Sequence, residues 1–190
     1  MNNDTIAIQK YRFLYGGCVD FHFIEQDRNA RSLSFYCKKD LSCIDKDIID
    51  ELKRIAFMHG ENARISLHAT PEADLHNMII FQHHKTYTRP HKHVSKSETY
   101  HIVEGEVALF VFDDEGTVVE RFDMSLQEKI ICRIEKNYYH TLIPISNYVI
   151  FLESRQGPFL RESDSFFPQW SAEPDDKNKI ADYIDTILKF

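Results

Sequence analysis

Three histidines and one glutamate stand at spacings that suit a metal ion. His91 and His93 are two residues apart, Glu98 follows after a four-residue break, and His140 begins a later strand. Residues two apart in a β-strand point to the same face, so the first two imidazoles can face one interior point. A hairpin-like return sets the Glu98 carboxylate opposite them, and Gly105 ends that strand. Three neutral imidazoles and a carboxylate suit Zn, Fe, Ni, Mn or Co, so the sequence predicts one divalent metal ion per chain.

The combination of residues is specific, whereas His-x-His alone is common. The alternative is a set of exposed histidines on surface strands. The chain has ten histidines, and four of them fall between His83 and His93. At most one of the adjacent His83 and His84 can face a cavity. Ordinary roles are expected for His22, His59, His76 and His101, the last facing outward.

The composition is that of a soluble globular protein, and the length of 190 residues predicts a single domain, 1–190. The formal net charge of −7 argues against a nucleic-acid partner and against an anionic membrane surface. No apolar run approaches the roughly 20 residues that span a bilayer, and the N-terminus lacks the apolar core of a secretory signal. A cytoplasmic protein is therefore expected.

Alternating apolar and polar runs predict a mainly β fold. Short strands at intervals of 8–12 residues are typical of a sandwich or barrel, here over residues 61–157. Residues 1–43 carry two or three further strands, residues 44–60 a helix with Asp45 as its N-cap, and residues 158–190 a tail with a C-terminal helix. The predicted barrel strands are Arg64–Leu67, Asn77–Gln82, Thr88–His93, Thr99–Val103, Val107–Asp113, Thr117–Asp123, Lys129–Ile134, His140–Ile143 and Tyr148–Glu153.

The histidine motif and its surroundings resemble a known family. The spacing resembles the two cupin motifs, and the flanking sequence is similar to that of cupin fold metalloproteins of the WbuC type. This similarity includes Thr86–His93, Phe110–Gly116, Tyr139–Leu142, Glu153–Pro158 and Phe166–Trp170. It implies a small cupin jelly-roll β-barrel whose mouth holds one metal through His91, His93, Glu98 and His140. The chain departs from the cupin pattern in two turns, where Lys85 and Asn137 replace glycines.

Three residues are candidates for acid–base catalysis beside the metal. Tyr100 has the strand parity of Glu98, Glu153 matches a position that recurs in the resembling proteins, and His68 falls in a matched Leu-His dipeptide. A salt bridge between Glu153 and Arg155 at the rim explains the glutamate equally well. A buried, hydrogen-bonded side chain explains His68 equally well.

Basic residues near the motif predict an anionic ligand. Lys85, Arg89, Lys92 and Lys96 occur without an acidic residue between positions 83 and 96, and a positive mouth attracts a phosphorylated or carboxylated sugar. Candidate substrate-binding residues are Arg89, Arg155 and Lys85. The same lysines on strand edges would also prevent edge pairing.

The leading functional hypothesis is a sugar or nucleotide-sugar isomerase or epimerase, in which a metal polarises a carbonyl or hydroxyl. The resemblance implies a place in surface polysaccharide (O-antigen or capsule) biosynthesis. The alternatives are a non-haem Fe(II) dioxygenase and a non-catalytic sugar-binding or regulatory cupin. The N-terminal strands and the C-terminal helix are expected to cover the barrel or to build a homodimer.

Overall fold

Eight strands and two helices form the described part of the chain. The computed structural model describes residues 23–30, 32–160 and 162–190. The helices are α1 (Lys46–His59) and α2 (Lys177–Ile187). The strands are β1 (Ile24–Gln26), β2 (Leu33–Cys37), β3 (Ala63–Ser66), β4 (Leu75–His83), β5 (Glu98–Phe112), β6 (Val118–Met124), β7 (Ile131–Ile134) and β8 (Tyr139–Gln156). The part of the predicted N-terminal strand region that precedes residue 23, with His22, lies outside the described residues.

Helix α1 begins and ends where the sequence predicts. The Asp45 carboxylate accepts a hydrogen bond of 3.0 Å from the backbone N–H of Ile48, which is an N-cap. Gly60 ends the helix with a φ of 64°, and its N–H donates to the Ala56 carbonyl. The apolar side of α1 covers one face of β2, β3 and β4, in a cluster that includes Phe35, Ile65 and Phe81.

The strands follow the order β1-β2-β3-β4-β8-β5-β6, with β7 paired to β5. All of these pairs are antiparallel except β2 with β3, which is parallel. Strand β5 pairs with β7 through residues 98–101 and with β6 through residues 107–112, while β8 runs along its other edge. Two long strands therefore hold both halves of the sheet together.

Two predicted turns are in fact bends within long strands. The segments predicted as Thr99–Val103 and Val107–Asp113 form the single strand β5, and the last two predicted strands form β8. The β5–β8 register shifts on both sides of Gly105, whose φ is 84°. A Cβ at this glycine would lie 2.3 Å from the carbonyl oxygen of Tyr148. Gly105 therefore bends the strand against its neighbour and does not end it.

The sheet curls around one apolar cluster. Side chains from β4, β5, β6, β7 and β8 meet in it, which requires the sheet to close on one face. Members include Ile80, Ile102, Phe122, Ile134 and Phe151. The predicted mainly β class, with a helix on either side of the barrel strands, is confirmed.

The segment that carries the first two candidate ligands is not the strand predicted at Thr88–His93. It is an extended loop held by isolated bridges of His91 with His140 and of Lys92 with Phe166. Its neighbours are a strand end on one side and the tail on the other, so no continuous ladder forms. The alternation of side chains survives locally because the backbone stays extended.

The tail closes the other face of the sheet. Helix α2 has Asp176 as N-cap, and its buried Ile184 and Ile187 join a cluster with Phe110 and Ile143. The predicted C-terminal helix is confirmed. Within the described residues, neither helix has the length and apolar character needed to cross a bilayer.

Candidate metal centre

His91, His93, Glu98 and His140 lie together at one end of the sheet. One ligand atom from each falls within 4.8 Å of the others. Three of these side chains are buried and His91 is half-buried. Ligands of a single ion with bonds near 2.1 Å lie within about 4.2 Å of each other, so a small contraction brings all four onto one metal.

The three imidazoles are held in the same tautomer by backbone carbonyls. His91 Nδ1 donates to the Arg89 carbonyl at 3.0 Å, and His140 Nδ1 donates to the Tyr138 carbonyl at 3.0 Å. His93 Nδ1 donates to the Asp164 carbonyl. Because a carbonyl only accepts, each Nδ1 carries the proton and each Nε2 is left with a lone pair for a metal.

Two buried atoms in the cluster require a cation. His93 Nε2 and Glu98 Oε1 contact each other, yet neither has a hydrogen-bond partner among the described residues. A lone pair facing a carboxylate oxygen is unfavourable unless a positive charge lies between them. A proton can supply that charge, since the Glu98 carboxylate outweighs burial and raises the pKa of His93. A divalent ion meets the same need for the whole set, so these residues fit a metal.

Burial keeps the other two histidines neutral. Burial and the adjacent His140 lower the pKa of His91 to about 4. Burial also lowers the pKa of His140, against the attraction of Glu98. For Glu98, burial favours the protonated form, but His93 and the other imidazoles outweigh it and lower the pKa. The cluster therefore combines a carboxylate with two neutral imidazoles, and a metal ion would bind in place of the proton that Glu98 favours on His93.

Tyr100 supports the carboxylate ligand. Its hydroxyl donates to Glu98 Oε2, which leaves Oε1 facing the imidazoles. The Tyr100 hydroxyl oxygen also lies 3.4 Å from His140 Nε2. Burial, followed by the negative Glu98, raises the pKa of Tyr100 well above its usual value. The predicted neighbour of the metal is thus in place as a protonated hydrogen-bond donor.

Glu153 and Arg155 lie opposite the cluster on β8. Glu153 faces Tyr100 in the β5–β8 register, and Arg155 faces Glu98. Arg155 Nε is 3.4 Å from Glu153 Oε1, so the two form a salt bridge, although it is largely buried and not at the rim as the alternative interpretation had it. Burial and the negative Glu98 raise the pKa of Glu153 to about 7, against the lowering effect of Arg155. Glu153 is therefore a carboxyl group that can hold or release a proton near neutral pH.

Asp164 is a site residue that the sequence analysis did not identify. Its carboxylate accepts from Lys96 Nζ at 2.5 Å and from Arg155 Nη1 at 2.8 Å, and its carbonyl holds His93. Burial favours its protonated form, but Arg155 and Lys96 outweigh it and lower its pKa. This aspartate lies 71 residues from His93, and the only sequence signal for it is an acid in the tail beside the matched segment Phe166–Trp170.

His68 lies outside the metal cluster, beside His76. Its ring stacks on His76 with centroids 4.0 Å apart and meets the edge of Tyr36 at 5.7 Å. Burial, then the positive influence of His76 and Arg64, lowers its pKa to about 4. Its Nδ1 is buried without a hydrogen-bond partner among the described residues. His68 is therefore a neutral ring in the wall beyond Arg155, and its catalytic role stays a prediction.

The predicted substrate-binding cations Lys85 and Arg89 are engaged by the tail. Lys85 Nζ pairs with Asp185 at 2.7 Å. Arg89 holds Glu173 through two bonds of 2.7 and 2.8 Å, and its guanidinium lies 5.0 Å from the ring of Phe167. Their role in substrate binding stays a prediction, and in the structure they anchor residues from 167 onward beside the metal loop.

The two turns that depart from the cupin pattern keep left-handed backbone without glycine. Lys85 has a φ of 51° and Asn137 a φ of 71°. The N–H of Asn137 donates to the His93 carbonyl at 2.7 Å, so this turn holds the metal loop directly. Asparagine tolerates this region better than lysine, which makes Lys85 the more strained of the two.

Comparison with protein families gives one match over part of the chain. A family described as a domain of unknown function, DUF6016, matches residues 44–124. This span includes α1 and three of the four candidate ligands, and it ends before His140. No curated protein matches the sequence.

Solved structures give distant similarities. The capsular polysaccharide assembling protein CapF from Staphylococcus aureus is 14% identical over 57% of this chain and 30% of its own, with a TM-score of 0.49. KdgF from Halomonas sp. is 16% identical over 53% of this chain and 82% of its own, with a TM-score of 0.42. The chain thus spans about a third of the CapF length, and neither similarity adds to what its own strands show.

Proposed function

We propose that this chain is a cupin-type metalloprotein that acts on a sugar or nucleotide sugar as an isomerase or epimerase. The observation that carries the proposal is the cluster of His91, His93, Glu98 and His140, in which every Nδ1 donates to a carbonyl and every Nε2 points into the cluster. The sugar class, and a place in O-antigen or capsule biosynthesis, rest on the resemblance to WbuC-type proteins.

The residues around the cluster support acid–base chemistry. A bound divalent ion would polarise a substrate carbonyl or hydroxyl as a Lewis acid. Glu153, with a pKa raised to about 7 by burial and Glu98, takes up and returns a proton near neutral pH. Arg155 holds Glu153 from one side at 3.4 Å, and the protonated Tyr100 hydroxyl stabilises the Glu98 carboxylate.

Metal analysis tests the site. The purified protein is expected to hold about one equivalent of a divalent metal, and a His93→Ala variant is expected to lose it, because His93 and Glu98 Oε1 face each other across the cluster. His101→Ala is the matched control, since His101 is exposed on the same strand as Glu98. A His93→Ala protein with full metal content would show that the ligand assignment is wrong.

Turnover tests the reaction. Zn- or Mn-loaded protein is incubated under nitrogen in D2O with aldoses, ketoses and nucleotide sugars, and deuterium incorporation next to the carbonyl is followed by NMR. Incorporation that is lost in Glu153→Gln supports the isomerase or epimerase. Oxygen consumption by the Fe(II)-loaded protein would instead support the dioxygenase, and tight sugar binding without turnover would support a binding protein.

A further inference from the structure

Two polar side chains on β2 and β3 line the barrel interior, three to four strands along the sheet from β5. Ser34 on β2 pairs with Arg64 on β3, and Arg64 pairs with Ile80 on β4. Ile80 and its partner Phe151 contribute to the inner apolar cluster. Residues directly paired across strands share a face, so Ser34 and Arg64 point into the barrel, away from α1.

These two side chains have buried polar atoms without partners. Ser34 is 1% exposed, and its Oγ has no hydrogen-bond partner among the described residues. The Nε of Arg64 is buried in the same condition. Buried polar atoms are nearly always satisfied in folded proteins, so unpartnered ones are candidates for contact with a ligand. Within the described residues, the Ser34 Oγ and the Arg64 Nε–H are therefore available to a further polar group.

Arg155 also has a buried Nε without a hydrogen-bond partner, but Arg64 differs from the basic residues near the metal in having no counter-ion within the described residues. Lys85, Arg89 and Arg155 each hold a carboxylate at 2.8 Å or less. Within residues 23–30, 32–160 and 162–190, no carboxylate pairs with Arg64. Arg64 is half-buried, and a guanidinium without a counter-ion favours carboxylates and phosphates, which accept its forked hydrogen bonds.

The wall between Arg64 and the metal cluster is continuous. One register row crosses the sheet through Tyr100, Glu153, Met78, Ser66 and Tyr36. The charge of Arg64 acts on groups along it. Burial and Glu98 raise the pKa of Glu153, whereas Arg155 and then Arg64 lower it. Arg64 also opposes the rise that burial causes in the pKa of Tyr36. Arg64 lies two residues from Ser66 on the same face of β3, so Arg64 and the metal cluster line one interior.

We infer that Arg64, with Ser34 beside it, binds the anionic group of a sugar whose other end reaches the metal cluster. This inference rests on the proposed sugar-directed function and names the substrate class, a sugar that carries a carboxylate or a phosphate. Arg64 binds the anion through its guanidinium, and the Ser34 hydroxyl donates a second hydrogen bond. The substrate is thus anchored away from the reacting atoms, and its position is fixed at two points.

Calorimetric titration of the Zn-loaded protein tests the inference. The probes are D-glucuronate, D-glucose 6-phosphate and the neutral D-glucose. One of the two anionic sugars is expected to bind at least about tenfold more tightly than glucose. The tighter-binding sugar shows whether the site prefers a carboxylate or a phosphate. Arg64→Met should lower the affinity for that anionic sugar by about tenfold or more and change the affinity for glucose by less than about twofold. Arg64→Lys should keep part of the preference, because it keeps the charge and loses the fork.

Matched measurements separate binding from folding and from metal loss. Arg133→Met removes an exposed arginine outside the interior and should bind all three probes as the unmodified protein does. Circular dichroism and metal content must be unchanged in Arg64→Met. Unmodified protein that binds metal but shows no preference for either anion overturns this inference alone, as does Arg64→Met protein that keeps the preference. Unmodified protein that binds no metal overturns the proposed function instead.

Discussion

Replacing Asp164 with asparagine removes the anion that holds two cations beside the metal loop. The aspartate side chain is 2% exposed, and the side chains of Lys96 and Arg155 are each 10% exposed. Lys96 also donates to the Pro158 carbonyl at 2.6 Å, so it cannot turn away to solvent without breaking two contacts. The variant keeps the volume of the side chain and leaves both cations without their shared carboxylate.

The expected loss of stability is about 3 kcal/mol. Breaking a buried ion pair by removing one partner costs about 3–5 kcal/mol, and the asparagine oxygen recovers part of it by accepting one hydrogen bond. For a chain of this size the loss corresponds to a fall in Tm of about 6–12 °C. Arg155 and Lys96 outweigh burial and lower the pKa of Asp164, so its contribution is present above pH 4. It is lost as pH falls through the folded-state pKa.

Urea unfolding of the metal-free protein at pH 7 and at pH 3 measures this loss. The difference in the free energy of unfolding between Asp164→Asn and the unmodified protein should be smaller at pH 3 than at pH 7. Metal affinity should fall by about tenfold, since the Asp164 carbonyl positions His93 and its segment is held less firmly. Asp123→Asn is the control, as Asp123 is exposed and its pair with Arg121 contributes within about 1 kcal/mol. A loss below 1 kcal/mol at pH 7 in Asp164→Asn would refute the reasoning.

Two further outcomes follow from the backbone and from a buried histidine. Lys85→Gly should have a free energy of unfolding about 0.5–1 kcal/mol higher in urea than Lys85→Met, because both variants lose the pair with Asp185 and only glycine relieves the φ of 51°; a less stable glycine variant would contradict this. Because burial and His76 lower the pKa of His68 to about 4, the unfolded chain takes up a proton first as pH falls from about 6.5. Stability of the metal-free protein should therefore fall by about 1–2 kcal/mol towards pH 4 through this residue, after allowance for its partial exposure. His68→Phe should reduce that dependence in urea titrations, and an identical pH dependence in both proteins would contradict the assignment.

The part of the site that depends on local geometry was predictable from the sequence. His91 and His93 share a face because an extended backbone alternates, and this holds in the loop although no regular strand forms there. Helix α1 was predictable for a similar reason, since its caps at Asp45 and Gly60 act within one turn. The number of strands was harder to predict from the sequence. Gly105 indicates a turn by composition, yet its contact with β8 makes it a bend.

The part that depends on distant contacts was not predictable. Asp164 reaches His93 from 71 residues away, and the spacing of acids in the tail gives no sign of it. The cations Lys85 and Arg89 indicated an anionic ligand by their position near the motif, but the tail supplies their counter-ions. Arg64 drew no attention because a single arginine in a strand is ordinary until its register partners show which face it occupies.

Charge balance inside the barrel links the metal to the anionic ligand. Most buried charges there are matched, as Arg155 is by Glu153 and Asp164. Among the buried polar atoms that lack partners within the described residues, two kinds have opposite needs: the lone pairs around Glu98 require a cation, and the Nε–H of Arg64, like that of Arg155, lacks an acceptor. A ligand that satisfies either need binds the folded chain and not the unfolded one, so each stabilises the fold by mass action. Because the metal ion is positive and the second ligand negative, their charges attract across the same interior, and each should bind more tightly when the other is present.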